Sequence, residues 1–315
     1  MDLQKTDLRA LLLAIQTTPG TPETLNPSNH GMLVLNGEYL FETDELEREI
    51  DKPGHGARPH VNVKRRARYT GGVELRGHAT PGTAAPIGPL LRTCGFLQTL
   101  DPGVDAVYSL LGSNFPIATV AGYHAGSLVA GHDARGAITQ IELSIRNFAK
   151  AQFEIMALTG ATPVIDAALP SADYSAFQAP VAIETETFEV DLDGTALNAI
   201  SLTLDTNAQI EIYEGSETRF VFLREFYRPT GTLRVFKAQR SAFHPENLAL
   251  AHTVLEEVFA EIVGGGEVVR LDLKNVQLGV PRPADQDGLA AWDIPFKLIG
   301  STPTDCLALT FAGAP

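Results

Sequence analysis

The chain has 315 residues, a length that sets an expectation of two domains, and its 28 glycines and 20 prolines punctuate short alternating runs of the kind that form strands. Its 38 acidic residues outnumber 24 basic ones, giving a formal net charge of -14 that argues against a nucleic-acid reader, because attraction to phosphates needs clustered Lys and Arg. No apolar stretch approaches the roughly 20 residues of a membrane span, so no membrane insertion is expected.

The N-terminus, MDLQKTDLRA, lacks the charged-then-apolar pattern of a signal peptide, and the expected site of folding is a cytoplasm. Leu8, Leu11, Leu12 and Ile15, with Thr6 as an N-cap, have the spacing of a short amphipathic helix. The Pro/Gly/Thr-rich stretch TTPGTPETLNPSN follows, so residues 1–30 are expected to be an arm, disordered or laid against a neighbour. Met32 to Phe41 has strand character. The polar excursion from Glu42 to His60, with Pro53, Gly54, Gly56 and Pro59, is long enough for a functional or mobile loop.

Val61–Tyr69 and Val73–Arg76 are expected to pair around a Thr70-Gly71-Gly72 turn. Ile87, Leu90, Leu91 and Cys94 fall on one helical face between Pro86 and the stop at Gly95. Strands are expected over roughly 105–160, closing a first domain of residues 31–162. A proline-bearing linker, 163–180, then leads to a second domain, 181–315. There Ile183–Leu192, Ile200–Leu204 and Gln209–Tyr213 are expected strands, with a hairpin turn at Asp193-Gly194. Leu248, Leu255, Val258, Phe259 and Ile262 form the expected stripe of a longer helix between Pro245 and Gly264. Cys94 and Cys306 lie in apolar contexts in different halves, as buried thiols and not as a bridge or metal site.

Three segments recur in order. Thr70-Gly71-Gly72-Val73-Glu74-Leu75 resembles Thr230-Gly231-Thr232-Leu233-Arg234-Val235; IELSIRN (141–147) resembles VRLDLKN (269–275); FEIMALTG, ending at Gly160, resembles WDIPFKLIG, ending at Gly300. Such a repeat marks a duplicated β-rich unit and points to rings and tubes.

Motifs that carry chemistry are scarce. The sequence holds no G-x-x-x-x-G-K-[ST], G-x-S-x-G, H-E-x-x-H or C-x-x-C, so neither an enzyme nor a cofactor is expected. Asp285, Asp287 and Gly288 begin like a calcium loop, but the glycine comes too early. His55 and His60 share the 42–60 loop with Asp44, Glu45, Glu47, Glu49 and Asp51 without metal-ligand spacing. The dense basic patch Lys64, Arg65, Arg66 and Arg68 faces six nearby carboxylates. A charge match between that patch and the loop, on different subunits, is one reading; simple solvation is the other. From Ala151 to Thr218 there is no Lys or Arg, and Glu184, Glu186, Glu189, Asp191, Asp193 and Asp205 recur along expected strands. They form an acidic face, either plain solvation or a surface past which DNA slides without adhering.

The stretch RRARYTGGVELRGHATPGTAAPIGPLLRTCGF, Arg65 to Phe96, resembles the tail tube (major tail) proteins of long-tailed bacteriophages. Ala14–Thr24 resembles their extended arm, Asp44–Arg58 their long loop, and Trp292–Gly300 part of a further tube domain. The resemblance implies a mainly β chain of two tandem β-sandwich or rolled-barrel tube domains, each with one flanking α-helix. It implies a structural virion protein, assembled in a host bacterial cytoplasm, that stacks rings into a tail tube for DNA delivery. Its partners would be itself and other tail proteins (tape measure, terminator, distal tail), with genomic DNA passing through unbound. Glu45, Glu47, Glu49, Asp51, Lys52, His55 and Arg58 become inter-ring contacts, and the acidic strand residues become lumen candidates. Two tube domains per chain favour a trimeric, pseudo-hexameric ring over a hexamer. A carbohydrate-binding or adhesive β-sandwich, or another ring-forming tube or terminator protein, is the alternative.

Overall fold

Burial that alternates residue by residue, as in Ala106–Leu110 or Ala151–Ala157, is the dominant pattern of this chain, and it makes a mainly β protein. The computed structural model describes residues 8–48, 58–225, 227–300, 302 and 306–313. In the first half the strands are β1 (Arg9–Gln16), β2 (Gly31–Met32), β3 (Leu35–Glu47), β4 (His60–Glu74), β5 (Phe96–Asp101), β6 (Asp105–Leu110), β7 (Ile117–His124), β8 (Ser127–Ser144), β9 (Lys150–Leu158) and β10 (Val164–Asp166). The second half holds β11 (Phe188–Leu192), β12 (Thr195–Leu197), β13 (Ala199–Asp205), β14 (Gln209–Glu214), β15 (Arg219–Glu225), β16 (Thr230–Phe236), β17 (Val254–Gly264), β18 (Glu267–Leu278), β19 (Arg282–Gln286), β20 (Leu289–Leu298) and β21 (Leu307–Gly313). Three short helices accompany them among the described residues: α1 (Pro27–His30), α2 (Gly88–Thr93) and α3 (Pro245–Leu250).

The strand ladders repeat. In the first half β1 pairs with β7, β7 with β8, β8 with β9, β9 with β4 and β4 with β3, all antiparallel. In the second half β11 pairs with β17, β17 with β18, β18 with β20, β20 with β16 and β16 with β13, again antiparallel. Each half also carries its helix between matching strands, α2 between β4 and β7 and α3 between β16 and β17. The three sequence repeats fall on matching strands: β4 and β16, β8 and β18, β9 and β20. Only the first is matched in position along its strand. Ile141 lies near the far end of β8, whereas Val269 lies near the start of β18, just past the hairpin turn.

Four strands of each half combine into one sheet, in the order β3, β4, β9, β8, β13, β16, β20, β18. The junction between halves is the β8–β13 ladder, Gln140 opposite Asp205 through Ser144 opposite Ser201. One face of this sheet buries Tyr69, Phe153, Ile141, Leu202, Leu233 and Ile294 in a core that runs without a break through both halves. A second layer, β12, β11, β17, β18, β21, β6 and β5, completes the sandwich. Among the described strands, only the β14–β15 hairpin stands outside this network, packing Ile212 and Val221 on Leu158 and Met156.

Several expectations are corrected. Residues 9–16 are the strand β1, not a helix, and Leu11, Leu12 and Leu13 are fully buried; three consecutive buried leucines need cover on both faces of a strand, which an arm could not supply. Thr70-Gly71-Gly72 is no turn: β4 runs straight through it. Gly71 is there because a side chain would meet Val34 Cγ1 at 2.5 Å, and its counterpart Gly231 lies similarly against the Phe296 ring. The helix expected up to Ile262 ends at Leu250. Beyond Val254 the chain is β17, where Val258, Ala260 and Ile262 alternate inward and the strand pairs with β18 from Val254 to Gly264. The strand expected at Ile183 starts only at Phe188. The helix expected around Ile87–Cys94 is present as α2, and Leu90 and Leu91 are fully buried.

Candidate functional site: the polar face of the eight-stranded sheet

The face of the eight-stranded sheet that points away from the core is polar over most of its width, apart from Leu40, which is exposed, and Met156 and Leu158, which lie beside Arg68 and Arg66 under the β14–β15 hairpin. Arg68, Glu154, Gln152, Lys150, Gln140, Glu142, Thr203, Thr232, Arg234, Asp293 and Lys297 alternate with the buried positions. Its charges are mostly compensated in place. Arg234 forks onto Asp293 at 2.7 and 2.9 Å, and this hydrogen bonding holds the Asp293 carboxyl below its ordinary value. Gln140 donates to Asp205 at 2.8 Å across the junction between halves.

The basic patch belongs to the same face. Arg66 contacts Glu42 and Asp44, each at 2.9 Å, while Arg68 reaches Glu154 at 2.6 Å and Glu42 at 3.6 Å. Lys64 lies 3.7 Å from Asp44, whose carboxyl is lowered chiefly by its hydrogen bond from Arg66. The charge match expected between subunits is thus made inside one chain, because β3 and β4 continue as a hairpin to Glu47 and from His60. Arg65 is exposed. Of the expected inter-ring residues, Glu45 and Glu47 lie on β3, with Glu45 3.8 Å from His60, and Arg58 precedes β4. Glu49, Asp51, Lys52 and His55 lie outside the described residues.

The acidic residues 184–193 lie elsewhere. Glu184 and Glu186 sit in an exposed turn, not on a strand, since Thr187 N–H bonds back to Glu184 C=O and its hydroxyl accepts from Glu184 N–H. Glu189 and Asp191 are on β11, in the second layer. Asp191 accepts from Gly194 N–H at 2.6 Å and so fastens the hairpin turn, where Asp193 and Gly194 both take positive φ, as that turn type requires. Glu189 stands opposite Glu261 on β17. Burial pushes the Glu261 carboxyl above its ordinary value, Arg270 opposes this, and Glu189 and Asp272 add to the rise. Arg270 gathers the cluster, 2.5 Å from Asp272 and 3.0 Å from Glu257, with its guanidinium 4.0 Å from the Phe259 ring centre.

An open concavity of about 630 Å³ lies beside the segment between β18 and β19 and is lined by Asp205, Thr232, His252, Val280, Phe296 and Lys297 among others; neither serine nor cysteine lines it. Among the described residues no group of His, Cys, Asp and Glu is placed to hold a metal ion, and no helix is long and apolar enough to cross a membrane. Both cysteines are buried outside any disulfide. Trp292 is only 8% exposed, with Lys237 and Arg240 near its ring, so it offers no open face to a sugar.

Sequence reasoning missed the β14–β15 hairpin as a unit and its aromatic tip. Tyr213 and Phe220 are exposed with ring centres 5.2 Å apart. The alternation over 209–225 was a signal that could have found it. No protein-family model matches the chain, and no curated protein is significantly similar to it.

Proposed function

We propose that this chain is a structural subunit that closes into rings and stacks into a tube, as the resemblance of Arg65–Phe96 to phage tail tube proteins implies, and that it catalyses no reaction. The observation that carries the reading is the eight-stranded sheet shared equally by two topologically matching halves. A sheet with open edges is a liability to a monomer, and joining the edges of neighbours into a barrel removes it. Its polar face would line the channel. Small uncharged groups and self-compensated charges there offer passing DNA few unpaired cations. On this reading the acidic residues Glu189 and Asp191 belong to the outer layer, and the lumen assignment moves from them to the sheet.

Three chains would supply six matching sheet segments, giving a pseudo-sixfold ring. Rings would then stack through the extended β3–β4 hairpin and the 42–60 segment. Virion localisation, passage of DNA and contacts with other tail proteins belong to the same proposal. Size-exclusion chromatography with light scattering, followed by negative-stain microscopy, tests it: rings or tubes are expected, and a strict monomer at high concentration, even with tail components added, would reject it. The adhesive alternative gains nothing from the covered Trp292.

A further inference from the structure

We infer that the seam between neighbouring chains is a specific strand pair, β3 of one copy against β19 of the next, built as a copy of the β8–β13 junction inside each chain; this rests on the ring reading above. The ladder correspondence makes β13 the counterpart of β3, and makes β18 with its continuation β19 the counterpart of β8. β19 carries on the pairing of β18 along β20, from Arg282 opposite Asp293 to Gln286 opposite Leu289. Within the chain, the C-terminal part of β8 has β9 on one side and β13 on the other. Among the described residues, the same stretch of the second half, β19, is paired only with β20, and β3 is paired only with β4. Two edges that are joined inside the chain therefore have counterparts without a strand partner at its two ends, and beside the β3 edge the Arg9 guanidinium donates to Gly37 C=O. Val280 and Leu289, around β19, are exposed apolar residues.

The internal junction also sets the register. Glu38 stands opposite Thr70 as Asp205 stands opposite Thr230, so Glu38 is the counterpart of Asp205. Asp205 faces Gln140, whose counterpart is Val280, and Glu142 one step further along the face corresponds to Arg282. Copying the junction thus places Glu38 beside Val280 and diagonally next to Arg282, an opposite charge within reach of a long side chain. Pro281 and Pro283 carry no N–H, so the β19 edge is poor in donors and cannot form a full ladder with another β19. An edge such as β3, which brings N–H groups, suits it. The prolines therefore select the head-to-tail pairing that closes a ring over a two-fold dimer.

The test uses the full chain carrying Glu38→Cys and Val280→Cys together, with Glu38→Cys plus Arg282→Cys as a second register and each single variant as a control. Assembled protein is oxidised and run on denaturing gels without reductant. Closed covalent oligomers from a double variant, and none from the singles, are expected. Crosslinked dimers from Glu38→Cys alone would overturn the seam in favour of β3 pairing with itself. Rings seen by microscopy without crosslinks in either double variant would overturn the seam and leave the tube reading standing. Absence of rings in the unmodified chain would overturn both.

Discussion

Arg76, just past β4, reaches Glu267 at the start of β18, with Nε 3.3 Å from Oε2 and the two side chains 10% and 9% exposed. The pair ties the first half to the second. It is an ion pair by distance without an aligned hydrogen bond, and Arg76 Nη1 also lacks a bonding partner. Leaving either charge alone in that site should cost about 3 kcal/mol or more, because a desolvated charge without its partner is worse than none. Glu267→Gln and Arg76→Met are each expected to lower the denaturation midpoint, with the Arg76→Met/Glu267→Leu double variant recovering most of the loss. Urea melts of the four proteins check this.

A second tie between the halves is Tyr227, which donates its hydroxyl to Cys94 C=O at 2.6 Å and accepts from Ile138 N–H at 3.1 Å. Its ring also meets Phe96 edge-on at 5.8 Å. Tyr227→Phe keeps the ring and strands two backbone groups, so a loss of about 1–2 kcal/mol is expected. Hydrogen exchange at the Ile138 amide should rise in the same variant.

Neither tie was legible in the sequence, because each joins residues far apart in the chain whose partners no local pattern names. What was legible was periodic or punctuated. The α2 stripe from Ile87 to Cys94, the Asp193-Gly194 turn and the Thr-Gly repeat at 70 and 230 are local signals, and they fall on helix, turn and matching strands as expected. Periodicity failed at two strands. Leu11–Leu13 in β1, buried on both faces, mimics a helical cluster, and in β17, buried on one face, Leu255, Val258 and Ile262 happen to fall at helical spacing. Glycine misled at Gly71, whose role is close packing and not a bend. At the proposed site, the basic patch and its acidic neighbours were visible, but only the β3–β4 register shows that they neutralise one another within the chain.

The raised carboxyl of Glu261 has a pH consequence. Its folded value lies above its unfolded one, so the native state holds that proton more tightly. The stability this contributes is present below the ordinary glutamate range and is lost as pH rises through the folded value. Glu261→Gln should therefore be more stable than the parent at about pH 7, with the advantage shrinking toward about pH 4. Thermal melts of both proteins across that range measure it.

Deleting Asp51–Arg58, which fall between β3 and β4 in the sequence, should leave the sheet folded and shorten or abolish tubes while rings persist. Circular dichroism and microscopy of the variant together check this. Loss of folding would assign the segment to the core instead.

The pseudo-sixfold ring is the central claim, and counting chains per ring by native mass spectrometry tests it most directly. Two matching sheet segments per chain predict three chains in each ring. Six chains per ring would contradict the claim, since the second half would then lie outside the barrel.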